Sequence, residues 1–243
     1  MHVLITGGSG VIGQELVKGF LSKGYDVSFT STSEDSAGKV LERFVDHKDK
    51  LHALIVEFNH ETDVEEFVRE NVGKYTHLIN NARSLKSVVV EENGFSSSSN
   101  IHKELFMSVT LPYLLSCGFV DTLKSIVNIS SMYGVVAFNR NLYEDGYNSS
   151  PIQYSIAKAA QIHLTKELAV RFADRGIRVN TVSFGGVEGR VSDEFKKRYA
   201  KLCPAGEMLK KEELFDPVWF VSSSVSKSLT GHNLIVDGGW SIW

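Results

Sequence analysis

The chain has 243 residues, 42% of them hydrophobic and 23% charged, with a formal net charge of −3. This length suits one α/β domain with a large core, and the absence of a basic tract argues against a nucleic-acid-binding surface. No apolar run approaches the roughly 20 residues of a membrane span, and the N-terminus lacks the pattern of a signal peptide, so we expect a soluble, cytoplasmic protein. Cys117 and Cys203 stand in unrelated contexts, so we expect neither a disulfide nor a metal site.

The N-terminal segment combines an apolar run, a glycine-rich turn and a helical pattern. Residues 2–6 form the run, and apolar residues recur at helical spacing after the turn, up to a C-capping glycine at Gly24. Gly8, Gly10 and Gly13 fit the pattern G-x-G-x-x-G, in which glycine lets the backbone approach a pyrophosphate at the helix N-terminus. We therefore predict a dinucleotide-binding turn formed by Gly7, Ser9, Gly10, Val11, Ile12 and Gly13.

The end of the second predicted strand, residues 25–30, bears on the choice of dinucleotide. An NAD-binding protein usually places Asp or Glu there for the ribose 2′-hydroxyl, and that carboxylate repels a 2′-phosphate. This chain has Ser31, Thr32 and Ser33 instead, with Glu34 and Asp35 close behind and no Arg beside them. Hydroxyl groups without a carboxylate admit the phosphate, so the sequence favours NADP(H) over NAD(H). A serine-rich connection without a ligand role is the alternative.

The rest of the chain alternates strands with helices. Strands are predicted at residues 51–56, 76–80, 124–129, 177–183 and 232–236. Helices are predicted at 60–71 with Asn59 as N-cap, at 96–117 with a kink or break at Pro112, at 151–174, and on the surface at 192–202 and 211–220. This alternation implies right-handed crossovers and a parallel sheet. We predict a Rossmann-type, doubly wound α/β fold of about seven strands as one domain over residues 1–243, with a substrate loop near 135–150 and a small helical lid near 190–215.

Chemically useful residues follow the third and fifth predicted strands. Glu57 can accept a hydrogen bond from an adenine amine, and we group Phe58 with it as a cofactor residue. Ser130 and Ser131 follow the fifth strand, and the carboxyl edge of an open α/β sheet is where its ligand cleft lies. A polar, aromatic insert over residues 138–147 comes next, and loops of this length are usually functional or mobile.

Tyr154 and Lys158 are four residues apart in a predicted helix. Residues at this spacing share one helical face, so the phenol and the ammonium project into the same cleft. A neighbouring cation stabilises the phenolate, which prepares the phenol for acid–base work. The spacing alone also occurs in ordinary amphipathic helices, so its meaning depends on the surrounding motifs.

The order of these signals resembles the short-chain dehydrogenase/reductase family, in its compact single-domain branch, over nearly the whole chain. The matching motifs are residues 6–13, Asn80-Asn81-Ala82, Asn128-Ile129-Ser130-Ser131, 154–158, Arg178-Val179-Asn180 and 235–239. The resemblance implies that Tyr154 is the general acid/base and that Lys158 assists it and holds the nicotinamide ribose. It implies that Ser131, three residues before Gly134, hydrogen-bonds the substrate oxygen. Further cofactor contacts are implied for Asn80, Asn81, Ala82, Gly185 and Val187.

The chain departs from the family pattern at five positions. They are Val11, Arg83, Ser108, Phe184 and Gly189, where the family usually has Gly, Gly, Asn, Pro and Thr. Ser108 takes the place of an Asn that anchors a proton-relay water, so we count it among the catalytic residues. Arg83 lies where it can contact the cofactor, an anionic substrate or only solvent. Gly189 leaves the backbone of Val187 as the expected nicotinamide anchor.

Two functions are open from the sequence. One is an NAD(P)(H)-dependent oxidoreductase that exchanges hydride between nicotinamide C4 and a carbonyl or secondary alcohol. The other is a dinucleotide-binding regulatory or structural protein with little turnover.

The insert and Gly185-Gly186-Val187 also resemble family members from bacterial surface-sugar and flagellin-glycan pathways. This implies a sugar or nucleotide-sugar substrate, contacted by Arg140, Asn141, Tyr143 and Tyr147, with a lid or subunit contact as the alternative role of the insert. The family resemblance further implies a homotetramer or homodimer, in which the helices carrying Ser108 and Tyr154 pack across a two-fold axis.

Overall fold

Seven parallel strands form one sheet at the centre of the computed structural model, which describes residues 1–92, 94–144, 150–189 and 191–243. The strands are β1 (His2–Ile5), β2 (Asp26–Ser31), β3 (Leu51–Ile55), β4 (His77–Asn80), β5 (Ser125–Ser131), β6 (Arg178–Phe184) and β7 (Asn233–Val236). Their order is β3-β2-β1-β4-β5-β6-β7, and each neighbouring pair is parallel. The predicted Rossmann-type, doubly wound α/β fold is confirmed.

Helices cover both faces of this sheet. They are α1 (Val11–Ser22), α2 (Glu34–Arg43), α3 (Glu61–Asn71), α4 (Ser98–Leu105), α5 (Leu111–Gly118), α6 (Ile152–Arg171), α7 (Asp193–Leu202) and α8 (Phe215–Ser222), with a π-helical segment, Phe106–Thr110, between α4 and α5. On one face α1, α2 and α8 share an apolar core with the sheet, and on the other α3, α5 and α6 share a second. The sheet is therefore the middle of three layers.

The strand order reverses between β1 and β4. From β1 the chain moves outward through β2 to β3, and it then returns to pair β4 on the other side of β1. Such a switch opens a crevice at the carboxyl ends of the two strands, and ligands bind there in this kind of sheet. The glycine turn follows β1. The motif Asn80-Asn81-Ala82 begins at the last residue of β4 and continues into the loop after it, so two predicted cofactor motifs flank the crevice.

Helix α2 is absent from the sequence-based prediction. The Ser33 hydroxyl caps it by accepting from the Ser36 N–H at 3.3 Å, acidic residues Glu34 and Asp35 lie in its first turn, and Arg43 lies in its last. These are ordinary helix start and stop signals. The serines at its start also fit a cofactor-binding interpretation, which hides the cap.

Two predicted helices differ in their ends or interiors. Asn59 is not the N-cap of α3, because the helix begins after His60. The Asp63 carboxylate instead accepts from the backbone N–H groups of Asn59 and His60, at 2.8 and 2.9 Å. The predicted helix over 96–117 is two helices separated by the π-helical segment. The break lies just before Pro112, which has no N–H for a regular α-helical bond.

Helix α8 is a core element, and the prediction of a surface helix over 211–220 is wrong. Val218 and Val221 are fully buried. A Cβ at Gly19 of α1 would lie 2.1 Å from the Phe215 ring, so glycine is what lets α1 and α8 approach this closely. The first part of the predicted helix is a 3-10 turn, Lys211–Glu213.

The described part of the chain has no helix long and apolar enough to span a bilayer. No group of three or more His, Cys, Asp or Glu side chains within these same ranges has a metal-binding arrangement. Cys117 and Cys203 are both free thiols.

Stability should fall in mild acid because of His77, which is buried at the start of β4. Burial lowers the pKa of His77 from 6.5 to about 4, with the charges of Arg178 and Lys124 adding to the effect. A folded-state pKa below the unfolded value means that the unfolded chain binds the extra proton first. The stability that neutral His77 contributes is therefore fully present above pH 6.5. It is lost as the pH falls towards 4, and the free energy of unfolding then decreases by up to about 3 kcal/mol.

Urea unfolding of wild type and His77→Asn at pH 7 and pH 4.5 measures this contribution. We expect a smaller difference between the two pH values in the variant. Equal differences in both proteins would show that His77 is not the titrating group.

Candidate active site

The turn after β1 is a tightly packed backbone cradle. Gly7 has a positive φ of 65°, and its N–H donates to the Thr30 hydroxyl at 2.9 Å, which holds the turn against β2. A Cβ at Gly8 would lie 2.4 Å from the Phe29 Cβ, and one at Gly13 would lie 2.3 Å from the Gly7 carbonyl oxygen. Gly8 and Gly13 are therefore required for the close packing of turn, strand and helix.

Gly10 differs from these glycines because it faces open space. A Cβ there would have only the Gly7 carbonyl oxygen near it, at 3.4 Å. Gly10 is also the N-cap of α1 and has no side chain to accept from the first N–H groups of the helix. Such N–H groups bind anions, and a pyrophosphate fits them. Val11 and Ile12 provide these donors, so the cradle fits the dinucleotide predicted from the sequence.

The segment after β4 fastens this cradle to the sheet. The backbone N–H groups of Asn81 and Ala82 both donate to the Thr6 hydroxyl, at 3.0 and 2.9 Å. The Asn81 side-chain amide donates to the carbonyls of Thr6 and Gly7, at 3.0 and 3.1 Å. Asn81 and Ala82 thus position the glycine turn, and the Asn81 amide nitrogen is already engaged.

The three hydroxyl residues predicted to face the ribose 2′-position differ in their burial and in their hydrogen bonds. Ser31 ends β2, is buried, and its hydroxyl lies 3.0 Å from that of Ser9. Ser33 caps α2, whereas Thr32 between them is exposed. Thr32 is therefore the freest hydroxyl at this edge.

After the end of β3, the side chain of Glu57 lies at the surface and that of Phe58 lies in the core. Glu57 is exposed and pairs with Lys86 at 3.0 Å. Phe58 is 6% exposed and packs edge to face on Phe67, with ring centroids 5.3 Å apart. The Phe58 side chain belongs to the core, because the chain turns inward ahead of α3, and only its backbone can meet a cofactor.

A row of buried polar side chains ties α6 to the sheet. Asn80 on β4 donates to Asn128 on β5 at 2.8 Å. Asn128 donates to Thr165 on α6 at 2.8 Å, and the hydroxyls of Thr165 and Thr181 on β6 lie 2.6 Å apart. Since buried hydrogen bonds of this kind have strict geometry, the row fixes the helix that carries Tyr154.

Lys158 is buried on α6 next to the half-buried Tyr154. Its ammonium donates to the Ile129 carbonyl oxygen at 2.8 Å and to Gln161 Oε1 at 3.0 Å. It lies 6.0 Å from the centroid of the Tyr154 ring. The predicted phenol and ammonium are therefore neighbours, and the ammonium is held by the strand beneath.

The two adjacent serines at the end of β5 make different contacts. Ser130 donates to the Lys158 carbonyl oxygen at 3.0 Å and so attaches α6 to the strand. Ser131 is 7% exposed, and its Oγ accepts from the Tyr133 N–H at 3.2 Å. A hydroxyl that accepts still has its own O–H to donate, so Ser131 retains the donor that its predicted role requires.

A fully buried carboxylate, Glu104 on α4, adjoins these residues and is not predicted from the sequence. Its two oxygens accept from the Ser87 hydroxyl at 2.7 Å and the Ser108 hydroxyl at 3.5 Å. Burial lowers the pKa of Lys158 to about 8, and the negative charge of Glu104 opposes this lowering. Glu104 is thus a counter-charge for the buried ammonium. Its position four residues before Ser108, on the same helical face, is the one sequence signal for it.

Ser108 lies where the π-helical segment interrupts the helix. Its hydroxyl donates a hydrogen bond to Glu104. The O–H group that would anchor a water is therefore already engaged. The proton-relay role expected for this side chain is therefore the least supported of the catalytic predictions.

The segment after β6 brings backbone groups next to Tyr199. The Gly186 N–H donates to the Tyr199 hydroxyl at 2.9 Å. A Cβ at Gly185 would lie 2.8 Å from the Asp237 Cα, so Gly185 serves close packing. Val187 forms a parallel bridge with Leu209 through the backbone groups of its neighbours. Its own N–H and C=O take no part in that bridge, so the bridge does not compete with the predicted carboxamide contact.

The insert packs against α7 over residues 138–144. Arg198 of α7 donates to the Leu142 carbonyl at 2.8 Å, and the Tyr143 hydroxyl lies 2.7 Å from that of Tyr133. Tyr147 and the rest of 145–149 lie outside the described residues. Tyr143 therefore has a packing role, whatever else the insert does.

Comparison with known proteins identifies the family. The model of the family described as "Enoyl-(Acyl carrier protein) reductase" matches residues 8–241. The chain belongs to the short-chain dehydrogenase/reductase family. A solved short-chain dehydrogenase from Leptospira borgpetersenii with bound NAD+ is similar to it, with a TM-score of 0.84 and 30% identity over 99% of this chain and 92% of that one.

Two curated relatives of this short-chain dehydrogenase/reductase cover different shares of it. An "Uncharacterized oxidoreductase" of Thermotoga maritima is 29% identical over 98% of this chain and 96% of that protein. "Post-translational flagellin modification protein A" of Campylobacter coli is 36% identical over 118 residues, which are 49% of this chain and 46% of that protein. The chain therefore matches about half the length of the flagellin-related relative, and the family assignment rests on the longer matches.

Replacing Gly134 should disturb the site directly. An added Cβ there would lie 2.8 Å from the backbone carbonyl group of Lys158, so the turn after Ser131 packs on α6 only through a glycine. We expect Gly134→Ala to destabilise this short-chain dehydrogenase/reductase by about 1–3 kcal/mol.

Gly38→Ala is the matched control, because an added Cβ in this part of α2 meets nothing within 4 Å. That change should raise stability by up to about 1 kcal/mol. Thermal unfolding compares the two variants, and equal stability of Gly134→Ala and wild type would contradict the close approach.

Proposed function

We propose that this short-chain dehydrogenase/reductase transfers hydride between nicotinamide C4 and a carbonyl or secondary alcohol carbon, with a preference for NADP(H). The observation that carries the proposal is the half-buried Tyr154 phenol beside the buried, charged Lys158. The bound nicotinamide supplies or accepts the hydride. The open backbone cradle at Gly10 and the first N–H groups of α1 hold the dinucleotide.

In the reduction direction the protein's own residues handle the proton. Tyr154 donates its phenolic proton to the substrate oxygen, and Ser131 donates a hydrogen bond to that oxygen. Lys158 stabilises the phenolate that results, because its lowered pKa of about 8 keeps it charged at neutral pH. The ammonium has three N–H groups and gives two to Ile129 and Gln161. The third can serve the nicotinamide ribose or a water that returns the proton.

A dinucleotide-binding protein with little turnover is the alternative, motivated by Arg83, Ser108 and Gly189. Ser131, Tyr154 and Lys158 are all present, and this favours the enzyme. NADPH oxidation over a panel of carbonyl compounds separates the two functions. Firm NADPH binding with no oxidation of any compound would favour the regulatory protein.

Removing the Tyr154 hydroxyl should abolish most turnover and leave NADPH binding nearly unchanged. Tyr154→Phe lacks only the hydroxyl group that carries the transferable proton, so we expect kcat to fall by roughly 100-fold or more and the Kd for NADPH to change by only a few-fold. Lys158→Ala should weaken both turnover and NADPH binding, because one ammonium has both roles. Near-normal kcat in Tyr154→Phe would contradict the acid–base assignment.

The preference for NADP(H) is supported by the absence of a carboxylate at the end of β2 and by the exposed hydroxyl of Thr32. The Leptospira relative was solved with NAD+, so a direct comparison is needed. We expect tighter binding of NADPH than of NADH in fluorescence titrations. Tighter binding of NADH by tenfold or more would overturn the preference.

A polar sugar or nucleotide-sugar is the substrate class we propose, with the insert and α7 forming a cap beside the site. The cap is supported by the ion pair of Arg198 with Glu144 at 2.6 Å and by the hydrogen bond of Arg198 to Leu142. Arg140 and Asn141 lie in the same cap, in a 3-10 turn. Because the insert follows Ser131 and precedes Tyr154 in the chain, it is tethered to the proposed chemistry at both ends.

A homodimer or homotetramer is supported by an apolar face of α6. Ile152 and Ile156 are 59% and 45% exposed and lie one helical turn apart, and Tyr113 of α5 is 45% exposed. We propose that this face packs on its copy across a two-fold axis. Light scattering should give an oligomer for wild type and a smaller species for Ile156→Glu. A wild-type monomer at micromolar concentration would exclude this assembly.

A further inference from the structure

Arg83 stacks on the ring of the proposed catalytic tyrosine. Its guanidinium carbon lies 4.4 Å from the Tyr154 ring centroid, within the range of a cation–π contact. Arg83 follows β4 by three residues, so its backbone starts at the crevice between β1 and β4. The side chain thus reaches from the predicted cofactor crevice to the phenol, and it is exposed.

The guanidinium has no carboxylate partner in the described part of the chain. Its neighbour Lys86 pairs with Glu57 at 3.0 Å, whereas the ion pairs among the described residues do not include Arg83. A guanidinium that stacks by its face still directs N–H groups outward along its edge. Two parallel N–H groups match the geometry of a carboxylate or a phosphate. A cation–π contact needs no acceptor atom, so the contact with Tyr154 leaves the N–H groups of Arg83 able to bind an anion.

The charges around the phenol are asymmetric. Lys158 is positive and buried, Arg83 is positive and exposed, and the negative charge of Glu104 is fully buried. Solvent screens Glu104 least and reaches Arg83 most. An approaching ligand therefore meets a cation first, and that cation touches the residue proposed to deliver the proton.

We propose that Arg83 binds an anionic group of the substrate, a carboxylate or a phosphate, and thereby sets the substrate's orientation at Tyr154. This inference rests on the proposed oxidoreductase function and names the substrate class of the same site. A neutral carbonyl compound would lack the contact and would be a poor substrate. A nucleotide-sugar or a sugar acid carries a suitable anion.

The first experiment measures anion binding and needs no turnover. Wild type saturated with NADPH is titrated with oxamate, with inorganic phosphate and with neutral oxamide, and nicotinamide fluorescence is followed. We expect Arg83→Gln to weaken binding of at least one anion by roughly tenfold or more, while Arg83→Lys retains part of the affinity. Oxamate and phosphate distinguish a carboxylate site from a phosphate site.

Arg69→Gln is the matched control, because Arg69 is an exposed arginine on α3 whose pairing with Glu66, at 3.5 Å, is local to that helix. It should leave anion binding unchanged. An equal loss in both variants would mean general electrostatics and would overturn the proposal. So would anion binding that is unchanged in Arg83→Gln, or no anion binding by wild type. A tenfold loss of NADPH affinity in Arg83→Gln without a separate loss of anion binding would assign Arg83 to the cofactor instead.

The second experiment separates this proposal from the proposed function. NADPH oxidation is measured with a 2-oxo acid and with its neutral methyl ester, in wild type and Arg83→Gln. We expect the substitution to raise KM for the acid and leave the ester unchanged. Equal kcat/KM for acid and ester in both proteins would overturn the anion site and leave the oxidoreductase standing. Oxidation of neither compound, with Arg83-dependent anion binding intact, would leave the anion site standing and count against the oxidoreductase.

Discussion

A charged lysine inside a protein is stable only where neighbouring groups replace the water it has lost. Lys158 meets this condition through the Ile129 carbonyl, through Gln161 and through the negative charge of Glu104. Without the charge of Glu104, burial would lower the pKa of Lys158 below about 8 and so disfavour its positive charge. The phenol of Tyr154 would then lose the cation that stabilises its ionised form. The acid–base chemistry proposed for the phenol therefore depends on how this ammonium is buried.

The rest of the fold holds that ammonium in place. The hydrogen bond from Ser130 to the Lys158 carbonyl and the row through Thr165 attach α6 to three central strands. Gly134 lets the turn after Ser131 lie against the same helix. On the other side of the crevice, Asn81 fixes the glycine turn to the ends of β1 and β4. The proposed cofactor cradle and the phenol thus belong to one sheet edge, although they come from distant parts of the chain.

The sequence predicts the fold, and the structure brings many of the predicted site residues together, because both depend on local patterns. Apolar runs, glycine turns and the spacing of Tyr154 and Lys158 each have a fixed geometric meaning. The sequence-based predictions fail at two kinds of residue. Some residues suit two different roles, and others have a role that nearby sequence does not reveal. Ser33 fits both a helix cap and a phosphate ligand, and Phe58 follows a strand yet turns into the core. Glu104 becomes meaningful only when folding brings α4 against α6, since an isolated Glu on a helix is usually solvated.

Glu104 and Arg83 act on Lys158 with opposite sign, and they differ in how a ligand can change them. The pKa of Lys158 is lowered by burial first, is raised by Glu104 and is lowered again by Arg83. Glu104 is sealed in the interior, so its contribution is constant. Arg83 is exposed, so a bound anion can neutralise it. An anion bound to Arg83, as proposed, would offset its lowering of the pKa of Lys158 and would also reduce the positive charge of the guanidinium that lies over the Tyr154 ring. The buried pair of Lys158 and Glu104 is therefore the constant part of the electrostatics beside Tyr154, and the exposed Arg83 is the part that a ligand can change.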